Sequence, residues 1–212
     1  MKITKPLIYL ISDGTLTAQN YSENSKKLFC IIETAVETSI ALIQIREKFL
    51  SPRLLFELTT QAVKIAKNSQ TKILVNDRAD IALAAKADGV HLTSNSIPTK
   101  IIRQTFPKDF IIGVSAHSFE NVINAKDQGA DFATFSPIFA SPNKGKPIGL
   151  NALRDVCEKV KPFPILALGG IDETNYREVL QISDGFASIR FLNNSESLRK
   201  LSDENLFINC GT

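Results

Sequence analysis

Short runs rich in Ile, Val, Leu and Phe recur along this 212-residue chain, and each is followed by a segment whose apolar positions fall at helical spacing. That alternation predicts βα units and a parallel sheet. Eight runs read as strands, at 7–12, 41–46, 72–76, 89–92, 110–114, 131–135, 164–168 and 185–189. They are short and apolar on both faces, as strands covered by helices on one side and a core on the other must be. Between them, Ser51 before Pro52 marks a helix start, and Leu54, Leu55, Leu58, Ala62, Ile65 and Ala66 then share one face. Ser118 is placed to cap a helix over 119–128 that stops at Gly129, and Pro162 forbids continuation of the helix carrying Leu153, Val156 and Val160. Asp77 is a candidate cap for the helix that starts near Arg78.

A weak repeat accompanies the pattern. Ala87-Asp88-Gly89-Val90, Gly129-Ala130-Asp131-Phe132 and Ser183-Asp184-Gly185-Phe186 share a small-or-acidic chemistry where helices hand over to strands. Eight such units close into a single (β/α)8 TIM barrel spanning 1–212, because an open dinucleotide-binding sheet would carry a GxGxxG turn where this chain has Asp13-Gly14-Thr15. No linker or charge block divides the sequence. Residues Asn193 to Glu196 read as a loop, with only a short final helix over 198–201.

Composition narrows the function classes. A net charge of +3 with no basic run argues against nucleic acid and leaves anionic small molecules as partners. Cys30, Cys157 and Cys210 are odd in number and far apart, which predicts reduced thiols and no zinc site. The apolar run from Leu7 to Ile11 is too short for a signal-peptide core or a membrane span, so a cytoplasmic protein without a membrane partner is expected.

In a parallel barrel the chemistry gathers where strands end, and those ends are highly polar here. Gln44, Arg46 and Lys48 alternate with Ile45 and should point inward together. Two cations in a barrel mouth need an anion, although Glu47 or Asp77 would serve as ion-pair partners in a purely structural network. Asn76-Asp77-Arg78 ends strand three, His91 lies in strand four, and Ser115-Ala116-His117 ends strand five. Each histidine has a bland reading as a satisfied core or loop residue and a catalytic one. Gly169-Gly170 after an apolar strand exposes backbone N–H groups suited to a phosphate.

In order and spacing, Gln44-Ile45-Arg46-Glu47-Lys48, Val75-Asn76-Asp77-Arg78, Asp88-Gly89-Val90-His91-Leu92, Gly113-Val114-Ser115-Ala116-His117, Ser136-Pro137-Ile138-Phe139 to Lys144, and Ala167-Leu168-Gly169-Gly170-Ile171 resemble the thiamine-phosphate synthases and the related TenI-like thiazole tautomerases. The resemblance implies an enzyme of thiamine biosynthesis that joins hydroxymethylpyrimidine diphosphate to a thiazole phosphate and releases pyrophosphate. It places Gln44, Arg46, Lys48 and Asn76 on the diphosphate and pyrimidine, Asp77 on Mg²⁺, Lys144 on the leaving group and Ser115 near the pyrimidine. Ser141, Asn143, Gly169, Gly170, Ile189 and the following loop would hold the thiazole phosphate. His117 is the acid–base candidate that a tautomerase would need. Homodimers are common in the family.

Two departures stand out. The synthases usually carry a second magnesium-binding aspartate where this chain has Ser96, and a small residue where it has Arg190. The first weakens the metal expectation and motivates two alternatives, a tautomerase and a catalytically silent binder of thiamine phosphates. The second brings a bidentate donor to the thiazole phosphate or fills its place. Another phosphate-binding barrel is disfavoured by the lack of a strand-borne glutamate or lysine base in the usual positions.

Overall fold

A computed structural model describes residues 6–141 and 145–204. Eight parallel strands close into one barrel in sequence order, β1 pairing with both β2 and β8. The strands are β1 Leu7–Ile11, β2 Leu42–Ile45, β3 Lys72–Asn76, β4 Gly89–Leu92, β5 Ile111–Ala116, β6 Phe132–Phe135, β7 Ile165–Leu168 and β8 Gly185–Ser188. Eight helices alternate with them: α1 Tyr21–Glu37, α2 Pro52–Ala66, α3 Ala79–Ala84, α4 Thr99–Thr105, α5 Phe119–Asp127, α6 Gly149–Val160, α7 Tyr176–Leu180 and α8 Ser195–Asp203. The (β/α)8 expectation therefore holds, and every predicted strand is present.

Two apolar clusters follow from strand alternation. Ile8, Ile43, Ile45, Ile73, Val75 and Ile165 face outward into the layer shared with the helices. Leu7, Tyr9, Ile11, Leu42, Leu74, Phe132 and Leu166 fill the lumen. Moving towards the strand C-termini on the same inward face, Leu42 gives way to Gln44, Leu74 to Asn76, and Gly89 to His91. The barrel is thus dry at its base and polar at its mouth.

The recurring aspartates have a physical role at the base. Asp88 accepts the Ile73 N–H at 2.8 Å, Asp131 the Ile112 N–H at 2.7 Å and Asp184 the Ile165 N–H at 2.9 Å. In the same three pairs the aspartate N–H donates to the isoleucine carbonyl. Each carboxylate so closes a ring that locks the register of a strand against its predecessor. Arg103 adds a 2.6 Å ion pair to Asp131, and Lys72 one of 3.0 Å to Asp88.

Helix caps agree in two places and differ in two. Ser51 and Ser118 accept the N–H groups of Leu54 and Asn121 as expected. Asp77 does not cap α3, whose first turn has no side-chain cap, because its carboxylate is engaged elsewhere. The final helix starts earlier than expected: Asn194 accepts the N–H groups of Glu196 and Ser197, which turns an apparent loop into the first turn of α8. Cys157 is buried in the helix layer, where burial pushes its thiol up to about 12, and Cys30 is exposed. Cys210 lies outside the described residues.

Candidate active site

The barrel mouth holds a cavity of about 340 Å³. It is lined by Gln44, Arg46 and Lys48 from the β2 end, Asn76 from β3, His91 from β4, Ser115 and His117 from the β5 end, and Ser141, Gly169 and Ile189 from the last three units. Ten residues singled out in the sequence therefore meet in one chamber. Ser136, at the end of strand six, also lines it as the strand-end reading expects, together with Thr93, Ser94, Asn95 and Pro137, which had no role assigned from the sequence. The alternation that brings Gln44 inward continues past the last residue of β2, so Arg46 and Lys48 follow it into the mouth.

Among the described residues Arg46 and Lys48 have no ion-pair partner. Glu47, the partner anticipated from the sequence, is buried and turned to the β1 loop: it accepts the Ser12 hydroxyl at 2.5 Å, the Gly14 N–H at 3.2 Å and the Leu16 N–H at 2.9 Å. Burial pushes the Glu47 carboxyl up from its ordinary range, and those three donors pull it back. Ser12 in turn accepts the Arg46 N–H at 2.8 Å. Gly14 completes the seat, since a Cβ there would stand 3.2 Å from the Arg46 guanidinium. The structural work of Glu47 thus leaves Arg46 free to meet an anion.

Asp77, the expected metal ligand, is oriented by several hydrogen-bond donors. It sits at φ +58°, with its N–H donating to the His91 carbonyl. Its carboxylate accepts the Asn76 amide at 2.9 Å, the Thr93 N–H and hydroxyl at 3.1 Å, and the Ser96 hydroxyl. The serine that replaces the second carboxylate is therefore a donor to the first. Asp77 lines a separate recess with Asn76, Arg78 and Lys48. No group of three His, Cys, Asp or Glu ligands is present among the described residues, and a single carboxylate such as Asp77 suits an ion that also takes diphosphate oxygens and waters, which is how Mg²⁺ is commonly held.

The two histidines have opposite surroundings. His91 is 2% exposed, and burial drives its pKa down to about 4, with Asp77 raising it and Arg46 lowering it to lesser degrees. His117 is exposed at the mouth. Its Nδ1 lies 2.8 Å from the Ser136 carbonyl, which can only accept, so Nδ1 carries the proton and Nε2 is left for the cavity.

Opposite the cations, Gly169 and Gly170 turn at φ +99° and +67°. A side chain at Gly170 would come within 2.5 Å of the Ala140 carbonyl, so glycine is required by both conformation and space. With Ser141, Ser188 and Arg190 they line an adjoining recess, in which Arg190 stands exposed at the rim. Asn143 and Lys144 lie outside the described residues.

Comparison with known proteins places these features in a family. The model of the family described as thiamine monophosphate synthase matches residues 8–192. A putative thiamine-phosphate synthase 2 of Aquifex aeolicus is 40% identical over 168 residues, covering 78% of this chain and 86% of that one. The thiamine-phosphate synthase of Clostridium novyi is 32% identical over 199 residues, covering 92% and 94%. A solved thiamine phosphate pyrophosphorylase from Pyrococcus furiosus superposes with a TM-score of 0.77 at 31% identity, over 95% of this chain and 97% of that one. A match that spans all eight strands, and with them every strand end lining the mouth, means that the chain belongs to the thiamine monophosphate synthase family.

Proposed function

We propose that this barrel is a thiamine-phosphate synthase, joining hydroxymethylpyrimidine diphosphate to a thiazole phosphate and releasing pyrophosphate. The observation that carries the reading is a mouth with cations unpaired among the described residues on one side and a glycine turn on the other. Arg46 and Lys48, with the amides of Gln44 and Asn76, receive the diphosphate. Gly169, Gly170, Ser141 and Arg190 receive the thiazole phosphate, leaving the thiazole nitrogen and the methylene carbon of the pyrimidine to meet between them near Ser115. When the bond between the methylene carbon and the diphosphate oxygen breaks, negative charge accumulates on the departing diphosphate. Arg46 and Lys48, converging on the mouth, stabilise that charge more than they stabilise the ground state. Asp77 would hold a magnesium ion shared with the diphosphate, and such an ion would add to the neutralisation of the leaving group. Lys144 would add a further cation by resemblance.

A second reading rests on His117, which lines the cavity with its Nε2 unbonded among the described residues and would serve proton transfer on a thiazole carboxylate phosphate. The synthase reading is favoured because a tautomerase has no use for a diphosphate seat. Incubating the chain with both phosphorylated precursors distinguishes the two. The synthase reading expects thiamine phosphate and pyrophosphate in equal amounts. Isomerised thiazole with no thiamine phosphate would overturn it.

A further inference from the structure

A line of hydrogen bonds crosses the lumen beneath the site. Gln44 Nε2 donates to Tyr9 Oη at 2.8 Å, Tyr9 Oη lies 3.2 Å from His91 Nδ1, and His91 Nε2 lies 3.0 Å from Ser115 Oγ. The first three residues are almost wholly buried, and Ser115 opens onto the cavity. Donor and acceptor chemistry gives this line a direction. An amide NH₂ only donates, so Tyr9 accepts from Gln44 and its own proton goes to its other neighbour, His91 Nδ1. A neutral imidazole carries one N–H. With Nδ1 accepting, that N–H sits on Nε2 and points at Ser115 Oγ. The Ser115 oxygen is then the acceptor, and its hydroxyl proton is left to face the cavity.

The lumen is built to keep the imidazole in this state. The ring is packed against Tyr9 and Phe132, at centroid distances of 5.6 and 6.0 Å, with no carboxylate hydrogen-bonded to it among the described residues. Gly113 makes the room, since a Cβ there would stand 2.7 Å from His91 Nδ1 and 2.4 Å from the Phe132 ring.

We propose that Tyr9 and His91 are positioning residues that fix Ser115 as a hydrogen-bond donor to an acceptor atom of the bound pyrimidine diphosphate. The same wiring denies Ser115 a base, because the imidazole nitrogen facing it already carries a proton, so Ser115 does not act as a nucleophile. The positioning role rests on the synthase reading; the tautomer does not.

Nitrogen NMR of the untagged chain with labelled histidine tests the wiring without any substrate. There are two histidines in the sequence, and H117Q assigns the signals. At a pH where both rings are neutral, His91 should show Nδ1 unprotonated and Nε2 protonated, with His117 the reverse. Protonated Nδ1 at His91 would mean that the line runs outward and would overturn the proposal. The positioning role is read from Y9F, which should lower kcat on the order of tenfold while leaving KM for both precursors within about twofold. H91Q, whose amide N–H can stand in for Nε2–H, should retain more activity than H91L. Equal activity of wild type, Y9F and H91L would overturn that role. Absence of thiamine phosphate with the wild-type chain would instead sink the synthase reading, and the tautomer would still be decided by the spectrum.

Discussion

At the scale of single residues, this barrel mouth depends on which polar groups are already satisfied. Glu47 is spent on the β1 loop and Asp77 on Thr93 and Ser96, so Arg46 and Lys48 remain available. His91 is the group with a pH signature. Its pKa is lowered from 6.5 to about 4, so the unfolded chain takes up the proton first as pH falls. The stability it contributes is fully present above pH 6.5 and is lost towards pH 4, by about 3 kcal/mol in all. Denaturant titrations at pH 7 and pH 4 should show the wild type losing about that much more than H91Q. Equal losses would mean that the ring is not held neutral.

Some of this was legible in the sequence and some was not. The inward run of Gln44, Arg46 and Lys48 followed from strand parity, and Ser115, His117 and Gly169 from their places after strands. Of the two readings open to Asp77, cap and metal ligand, the cap fails because its φ of +58° turns the carboxylate towards the β4 loop, which no local signal announces. The Tyr9–His91 contact joins residues 82 positions apart, and only the closure of the barrel brings them together. The inward parity of Leu7, Tyr9 and Ile11 was the available hint.

At the scale of elements, the aspartates that open β4, β6 and β8 do a different task from the residues that close the strands. Each fastens a strand start to its predecessor by a carboxylate and a backbone bond. Replacing Asp131 by Ala frees the Ile112 N–H and removes the partner of Arg103. It should cost about 1–3 kcal/mol of stability and leave kcat within about twofold, since the change lies at the opposite end of the barrel from the mouth. Thermal unfolding and steady-state kinetics on the same sample check both halves; a large loss of kcat with stability unchanged would contradict this division. The sequence echo had shown these three sites as a repeat without its cause. That cause is a pairing between chain segments 15 to 19 residues apart, visible once the strands are in register.

At the scale of the whole molecule, the closed barrel turns eight separate strand ends into one chamber with two chemically distinct sides. The cationic side is built from β2 and β3, and the glycine side from β6, β7 and β8. In the family resemblance this division corresponds to a diphosphate seat and a phosphate seat, and Ser96 and Arg190 alter one residue near each. The most direct test is a crystal of the protein soaked with pyrophosphate and thiazole phosphate together. The account predicts pyrophosphate among Gln44, Arg46, Lys48 and Asn76, and the thiazole phosphate on the N–H groups of Gly169 and Gly170 with Arg190 turned towards it. Pyrophosphate on the glycine side, with Arg46 and Lys48 untouched, would contradict it.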